Sequence, residues 1–312
     1  MKKEENGRKY RLVTRSDFDG LACAVLLKEK NLLDEITFVH PKDMQDGLIE
    51  ITKNDIITNL PYVKSAHKVF DHHGSEKGRI DQADNLVFDA DSPSAARVVY
   101  EYFGGKDAFP HVSDEMMEAV DKTDAAKLTV REILDPEGWI LLNFIMDART
   151  GLGRFRNFRI SNYQLMMALI EYCRKYTIDE ILAVPDVAER VKLYREHQEK
   201  FQEQIRKCGV VDKNVLIVDL RNEDPIYAGN RFIKYALYPE TDVSVQVNWG
   251  FKKQNTVFSV GRSIVKKTFS KNIGDIMHSH GGGGHPGAGT CQIPNEQADP
   301  FLKSLIAELQ AD

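Results

Sequence analysis

Three clusters in this chain combine residue types that could handle a phosphate. The first is Ser16-Asp17-Phe18-Asp19-Gly20. In an extended segment residues two apart point the same way, so Asp17 and Asp19 can aim both carboxylates at one spot while Gly20 lets the chain turn. Two like charges held together call for a cation. The second is Asp71-His72-His73. It offers a neutral imidazole to a metal, a second imidazole to a phosphate or leaving oxygen, and a carboxylate to orient a ring. The third is the run Gly281-Gly282-Gly283-Gly284-His285-Pro286-Gly287-Ala288-Gly289. Consecutive glycines let backbone N–H groups approach an anion closely, and His285 adds a side-chain donor. Each cluster also has a plain reading, as a solvated turn, a pair of surface histidines or a flexible linker. The elements that hold them separate the two.

Residues 11–14 read as a short apolar strand and residues 21–33 have the apolar spacing of a helix, with polar residues 15–20 turning between them. Residues 35–40, 55–59, 68–71 and 85–89 are further strands, several ending in a polar or acidic residue. Ser92-Pro93-Ser94 looks like an N-cap with an early helical proline, followed by a helix over 95–102. Such alternation predicts a mostly parallel sheet flanked by helices, which binds ligands at the carboxyl ends of its strands. Helical patterns then cover 116–124, 139–146 and 163–176. A long charged stretch, 187–207, reads as a solvent-bridging helix between lobes. Strands over 215–218, 244–247 and 257–260 follow, then a helix over 273–280, the glycine run as a ligand-contacting loop, a strand over 288–293 and an amphipathic helix over 300–309. The expected architecture is α/β, with an N-terminal domain over 1–185, a connecting helix over 186–209 and a smaller α/β domain over 210–312.

The chain's 312 residues suit two domains. Hydrophobic residues at 42% and charged residues at 29% exclude disordered, collagen-like and membrane classes. A net charge of -5 argues against a protein that coats DNA, though not against a small anionic ligand. Cys23, Cys173, Cys208 and Cys291 have no zinc spacing and read as reduced cytosolic thiols. The N-terminus is charged, with no apolar run behind it, so a cytoplasmic protein is expected.

Together the three clusters resemble the DHH phosphoesterase family, which includes RecJ-type exonucleases, oligoribonucleases and exopolyphosphatase-related proteins. The resemblance spans nearly the whole chain and looks strongest to the last group. It implies Mn2+ or Mg2+ held by Asp17, Asp19, His72 and Asp124, with Asp71 and His73 orienting ligand and substrate; Asp121, one helical turn before Asp124, could share its role. Carboxylate oxygens with one imidazole suit such hard ions better than zinc. Arg262, Ser263, Gly282, Gly283, Gly284 and His285 match the substrate-gripping part of the family's C-terminal domain. Two departures matter. Arg15 and Val13 stand where many members have a histidine, and Asn59 stands where they have a bridging aspartate. An amide oxygen can coordinate but brings no charge, so one tightly held ion is expected rather than two, with Arg15 contacting phosphate in place of the second.

Cations fall in two further stretches: Arg149, Arg154, Arg156 and Arg159, and Lys252, Lys253, Arg262, Lys266, Lys267 and Lys271. Arginine suits bidentate phosphate contact, whereas most of these lysines read as solvated. Structural roles are expected for His40, His67, His111, His197 and His278, and His280 stays open. Tyr227, Phe232, Tyr235 and Tyr238 read as core. The resemblance implies a phosphoesterase that cleaves a phosphodiester of a small nucleotide or short oligonucleotide by metal-activated water. The alternatives are an exopolyphosphatase or pyrophosphatase and, from another class, a catalytically weakened nucleotide-binding regulator. The expected partner is a short anionic phosphate ester, with no membrane; a homodimer stays open.

Overall fold

In the computed structural model, residues 7–73, 83–155 and 157–311 are described. The charged start of the chain and Arg156 therefore lie outside the described residues. The chain divides into two compact units, one of Met1–Lys127 with Pro136–Lys192, the other of Leu128–Asp135 with Leu193–Asp312.

The first unit is built on β1 (Tyr10–Arg15), α1 (Phe18–Glu29), β2 (Leu33–Val39), α2 (Pro41–Gln45), β3 (Asp55–Thr58), β4 (Lys68–Asp71) and β5 (Leu86–Phe88). The strands pair in the order β2-β1-β3-β4-β5, every pair parallel. The chain leaves β1 toward one edge and returns on its other side. The carboxyl ends of β1 and β3 thus flank a switch point, where such sheets bind ligands. Leu12, Val13, Ile57 and Val69 are buried, as expected of inner strands covered on both faces.

Every residue of α1 from Phe18 to Leu27 is buried, so this helix is apolar on all sides rather than on one stripe. It ends at Glu29, short of the expected residue 33, because Asn31 takes a left-handed turn and Leu33 already pairs with Tyr10. Gly20 is required where α1 leaves β1: a Cβ there would lie 2.0 Å from Arg15 O and 2.8 Å from Thr14 Oγ1. Gly20→Ala is expected to cost about 1–3 kcal/mol, the usual range of overpacking, seen as a lower urea midpoint at unchanged slope.

α3 (Ala95–Phe103) and α4 (Asp114–Asp124) follow, and then α5 (Val130–Leu134), which goes with the second unit. Ser94, not Ser92, is the N-cap of α3, and Pro93 precedes the cap instead of opening the helix. α6 (Gly138–Met146), α7 (Asn162–Lys175) and α8 (Ile178–Ala183) complete the first unit, and α9 (Pro185–Cys208) is divided between the units after Lys192.

The second unit adds β6 (Gly209–Asp212), β7 (Val215–Asp219), α10 (Ile233–Leu237), β8 (Val243–Trp249), β9 (Thr256–Arg262), α11 (Ile273–Ser279), β10 (Gly283–His285), β11 (Ala288–Ile293) and α12 (Ala298–Gln310). Its sheet runs β10-β11-β9-β8-β7-β6 and is mixed, with β7 and β8 parallel and the other pairs antiparallel. Val215, Val245, Val247, Phe258, Ile273, Met277 and Leu305 fill its core. The glycine run departs from the expected loop: Gly283–His285 forms an edge strand paired with β11. No helix among the described residues is long and apolar enough to cross a membrane.

Candidate active site

Neighbouring strands of the first sheet deliver most of the candidate residues. Asp17 follows β1 and caps α1, its Oδ1 accepting from Gly20 N at 3.0 Å. Asp19 sits in the first turn of α1, Asn59 directly follows β3, Asp71 ends β4 with His72 and His73 behind it, and Asp124 ends α4.

Asp19 is 2% exposed and held from a distant part of the chain: Ala95 N donates to its Oδ2 at 3.0 Å and Ala96 N to its Oδ1 at 2.7 Å. These are orphan amides at the start of α3, whose dipole favours a negative charge. Burial, with Asp124 and Asp17 nearby, still pushes the Asp19 pKa up to about 8. Burial also raises that of Asp17, against the pull of Arg15. The carboxylates thus repel one another in a poorly solvated place, a conflict that a divalent cation relieves.

The His72 ring has the tautomer that a metal ligand needs. Its Nδ1 lies 3.1 Å from Ser92 O and, since a carbonyl only accepts, Nδ1 carries the proton of the neutral ring and Nε2 keeps the lone pair. Nε2 is buried and 3.1 Å from Asp124 Oδ2, yet not aligned with it as a hydrogen bond. Ligand atoms of Asp19, His72 and Asp124 all lie within 4.8 Å of one another. Two carboxylates and one imidazole fit Mn2+ or Mg2+. Burial opposes a charge on His72, but Asp124 and Asp19 outweigh it and raise its pKa to about 9. Burial would likewise raise Asp124, but His72, His73 and Arg15 together hold it low.

Asp17 is used differently. Its Oδ1 also accepts from Asn59 Nδ2 at 3.0 Å, and its Oδ2 is 3.0 Å from Arg15 Nε. Asn59 adopts a left-handed backbone, and its Oδ1 is buried without a hydrogen-bond partner. Asp71 is buried, with its Oδ1 2.7 Å from His73 Nδ1. Burial works against a charged His73, but Asp71 overcomes it and raises the pKa.

Asp121 does not join the cluster. Ser94 Oγ donates to its Oδ1 at 2.7 Å and Arg97 grips its Oδ2, so it ties α3 to α4. In the 149–159 stretch, burial works against the charge of Arg149, but its partner Asp147, and then Asp17 and Asp124, raise its pKa. Arg154 packs its guanidinium against Gly151, and Arg159 faces Asp186.

In the second unit, Arg262 ends β9 and His285 ends β10. A Cβ on Gly287 would meet Arg262 Nε and His285 Cε1, each at 3.1 Å, so the two side chains flank one bare stretch of backbone. His285 Nδ1 accepts from Gly287 N at 3.0 Å, leaving Nε2 to carry the proton of the neutral ring. Ser263 is not brought to a surface: it is 1% exposed and its hydroxyl accepts from Lys266 N. The glycines mostly serve packing. A Cβ on Gly282 would lie 2.1 Å from Thr290 O and one on Gly284 2.3 Å from Ala288 O, while only open space faces Gly283. His280 pairs with Glu308, Lys266 with Asp242, and Lys271 donates to Glu308 O.

Sequence reasoning missed the amides of Ala95 and Ala96 and the Ser92 carbonyl. The capping motif at Ser94 marks a helix start with free amides, but not which carboxylate they meet.

A parallel sheet with carboxylates and imidazoles at its strand ends, and a second unit presenting Arg and His together, suit the handling of a phosphate ester. No family model matches the chain, and no curated protein does. Among solved structures, pGpG-specific phosphodiesterase PggH from Vibrio cholerae is 59% identical with a TM-score of 0.85, over 97% of this chain and 100% of that one. CDC45 from Entamoeba histolytica shares the fold, at 10% identity and a TM-score of 0.50, over 97% of this chain and 96% of its own. The chain belongs to the DHH family of phosphoesterases and is a hydrolase.

Proposed function

We propose that this enzyme cleaves the phosphodiester of the 5′-phosphorylated dinucleotide pGpG to mononucleotides, using Mn2+ or Mg2+. The observation that carries the reading is 59% identity over 97% of the chain to a pGpG-specific phosphodiesterase. Asp19, His72 and Asp124 would hold one ion tightly. Asp17 and Asn59 border it, but Asp17 is already engaged by Gly20, Asn59 and Arg15, which speaks against a second tight ion. Bound there, the ion would supply Lewis acidity toward the phosphate and lower the pKa of water.

The chain's own groups do the rest. The α3 amides keep Asp19 from turning away, and the Ser92 carbonyl fixes the His72 ring. His73, its pKa raised by Asp71, holds a proton for the leaving oxygen. Arg15 offers positive charge beside the cluster, and Arg262 and His285 supply phosphate donors on the second unit.

The test is product analysis with purified protein and Mn2+, offering pGpG, a longer oligonucleotide, polyphosphate and pyrophosphate separately. GMP from pGpG at the highest rate, abolished by EDTA, is expected. Faster release of phosphate from polyphosphate or pyrophosphate would overturn the reading in favour of a phosphatase. Binding of pGpG without turnover would favour a regulator.

A further inference from the structure

Two of the candidate metal ligands take their fixed geometry from one short piece of backbone. His72 Nδ1 donates to Ser92 O, and Asp19 accepts from the amides of Ala95 and Ala96. These partners all lie within residues 92–96, the turn that leads into α3. At its near end the turn is pinned to the sheet, since Asp89 N donates to Asp71 O at 3.3 Å and Ser92 N to Asp89 O at 3.2 Å. The far end is the first turn of a helix, where the amides have no intrahelical partner and local opening is easiest.

That end is closed by a ring of side chains. Ser94, 0% exposed, caps α3 by accepting from Arg97 N at 3.0 Å, and its hydroxyl donates to Asp121 Oδ1 at 2.7 Å. Arg97 returns to the same carboxylate, with Nε 2.9 Å and Nη2 2.6 Å from Asp121 Oδ2. Asp121 stands one turn before Asp124 on α4, so the helix that carries the third ligand also fixes the turn that holds the other two. Asp19 and Asp124 repel each other when no cation lies between them. A helix start free to swing out would let Asp19 yield to that repulsion. A start tied to α4 keeps both carboxylates at one point.

We propose that Asp121 is a positioning residue for the metal site, acting through Ser94, and that it sets the affinity for the divalent ion without touching it. The inference deepens the proposed function and rests on its metal reading. Both oxygens of Asp121 are already engaged, one by Ser94 and one by Arg97, which suits a support rather than a ligand.

The test is calorimetric Mn2+ titration of the full chain after metal removal, comparing wild type with Asp121→Ala, Ser94→Ala and the double variant, each well below its own thermal midpoint. Each single change is expected to weaken Mn2+ binding about 10- to 100-fold, the usual worth of a group that holds a metal ligand in place. The double variant is expected to lose no more than the weaker-binding single one, because the same hydrogen bond is removed in all of them. Losses that multiply would overturn the proposal. So would Mn2+ affinities equal to wild type at lowered thermal midpoints, since a purely structural tie changes stability and leaves the folded protein's affinity alone. If Asp121→Ala does not fold, Ser94→Ala, which keeps the pair of Asp121 with Arg97, decides by itself, and an unchanged affinity there overturns the proposal. Cleavage of pGpG is read separately. A wild type that binds Mn2+ but leaves pGpG intact ends the assigned substrate, while the titrations still decide the role of Asp121. A wild type that binds no Mn2+ overturns the metal site and this proposal together.

Discussion

His72→Ala is expected to lower pGpG cleavage at micromolar Mn2+ by more than about 10²-fold, because even an outer partner of a metal ligand is worth about 10- to 100-fold. The ring supplies the only nitrogen in a cluster otherwise made of Asp19 and Asp124. Its Nδ1 proton is committed to Ser92 O, which leaves Nε2, 3.1 Å from Asp124 Oδ2, as the ring atom that faces the cluster. Millimolar Mn2+ is expected to recover part of the rate, since both carboxylates remain. Calorimetric Mn2+ titration of wild type and variant checks the assignment apart from catalysis. Identical curves would remove His72 from the metal site.

The second large effect is on stability. In EDTA the protein is expected to lose stability steadily as pH rises from about 6.5 to about 9. Asp19 has a folded pKa of about 8 against an ordinary 3.8, so across most of this interval the folded state keeps a proton that the unfolded chain has released. Stability falls with pH wherever the folded state binds more protons. His72 acts in the same sense. Its folded pKa of about 9 lies above the ordinary 6.5, so its contribution is complete below about 6.5 and disappears as pH passes about 9. A divalent ion replaces both protons. Mn2+ is therefore expected to raise the thermal midpoint more near pH 8.5 than near pH 6, and its binding should release protons. Thermal melts across this range, with EDTA and with Mn2+, measure both effects. A midpoint in EDTA that climbs with pH would refute the account.

The second unit shows where reading the sequence stops. A glycine gives no sign of whether it is present for flexibility, for anion contact or for close packing. Gly282 and Gly284 are there because Thr290 O and Ala288 O occupy the space a Cβ would need, which only the pairing of β10 with β11 reveals. Ser263 follows an arginine in a strand end, yet its hydroxyl turns inward to Lys266 N.

For the first unit the sequence by itself determined more. Strand patterns ending in Asp or His, the Asp17–Asp19 pair and the Asp71-His72-His73 triplet are local features, set by backbone period and side-chain chemistry, and they placed ionisable groups at strand ends. Tertiary structure decided which of them share a point. The order β2-β1-β3-β4-β5 makes neighbours of strand ends that are far apart in sequence. The start of α3 supplies Asp19 with amides from residues 95 and 96, and Arg15, Asn59 and Gly20 divert Asp17 from the cluster. Local rules reach only a few residues along the chain, whereas a carboxylate's role is fixed by whichever donors and charges the packed sheet and helices bring within about 3 Å.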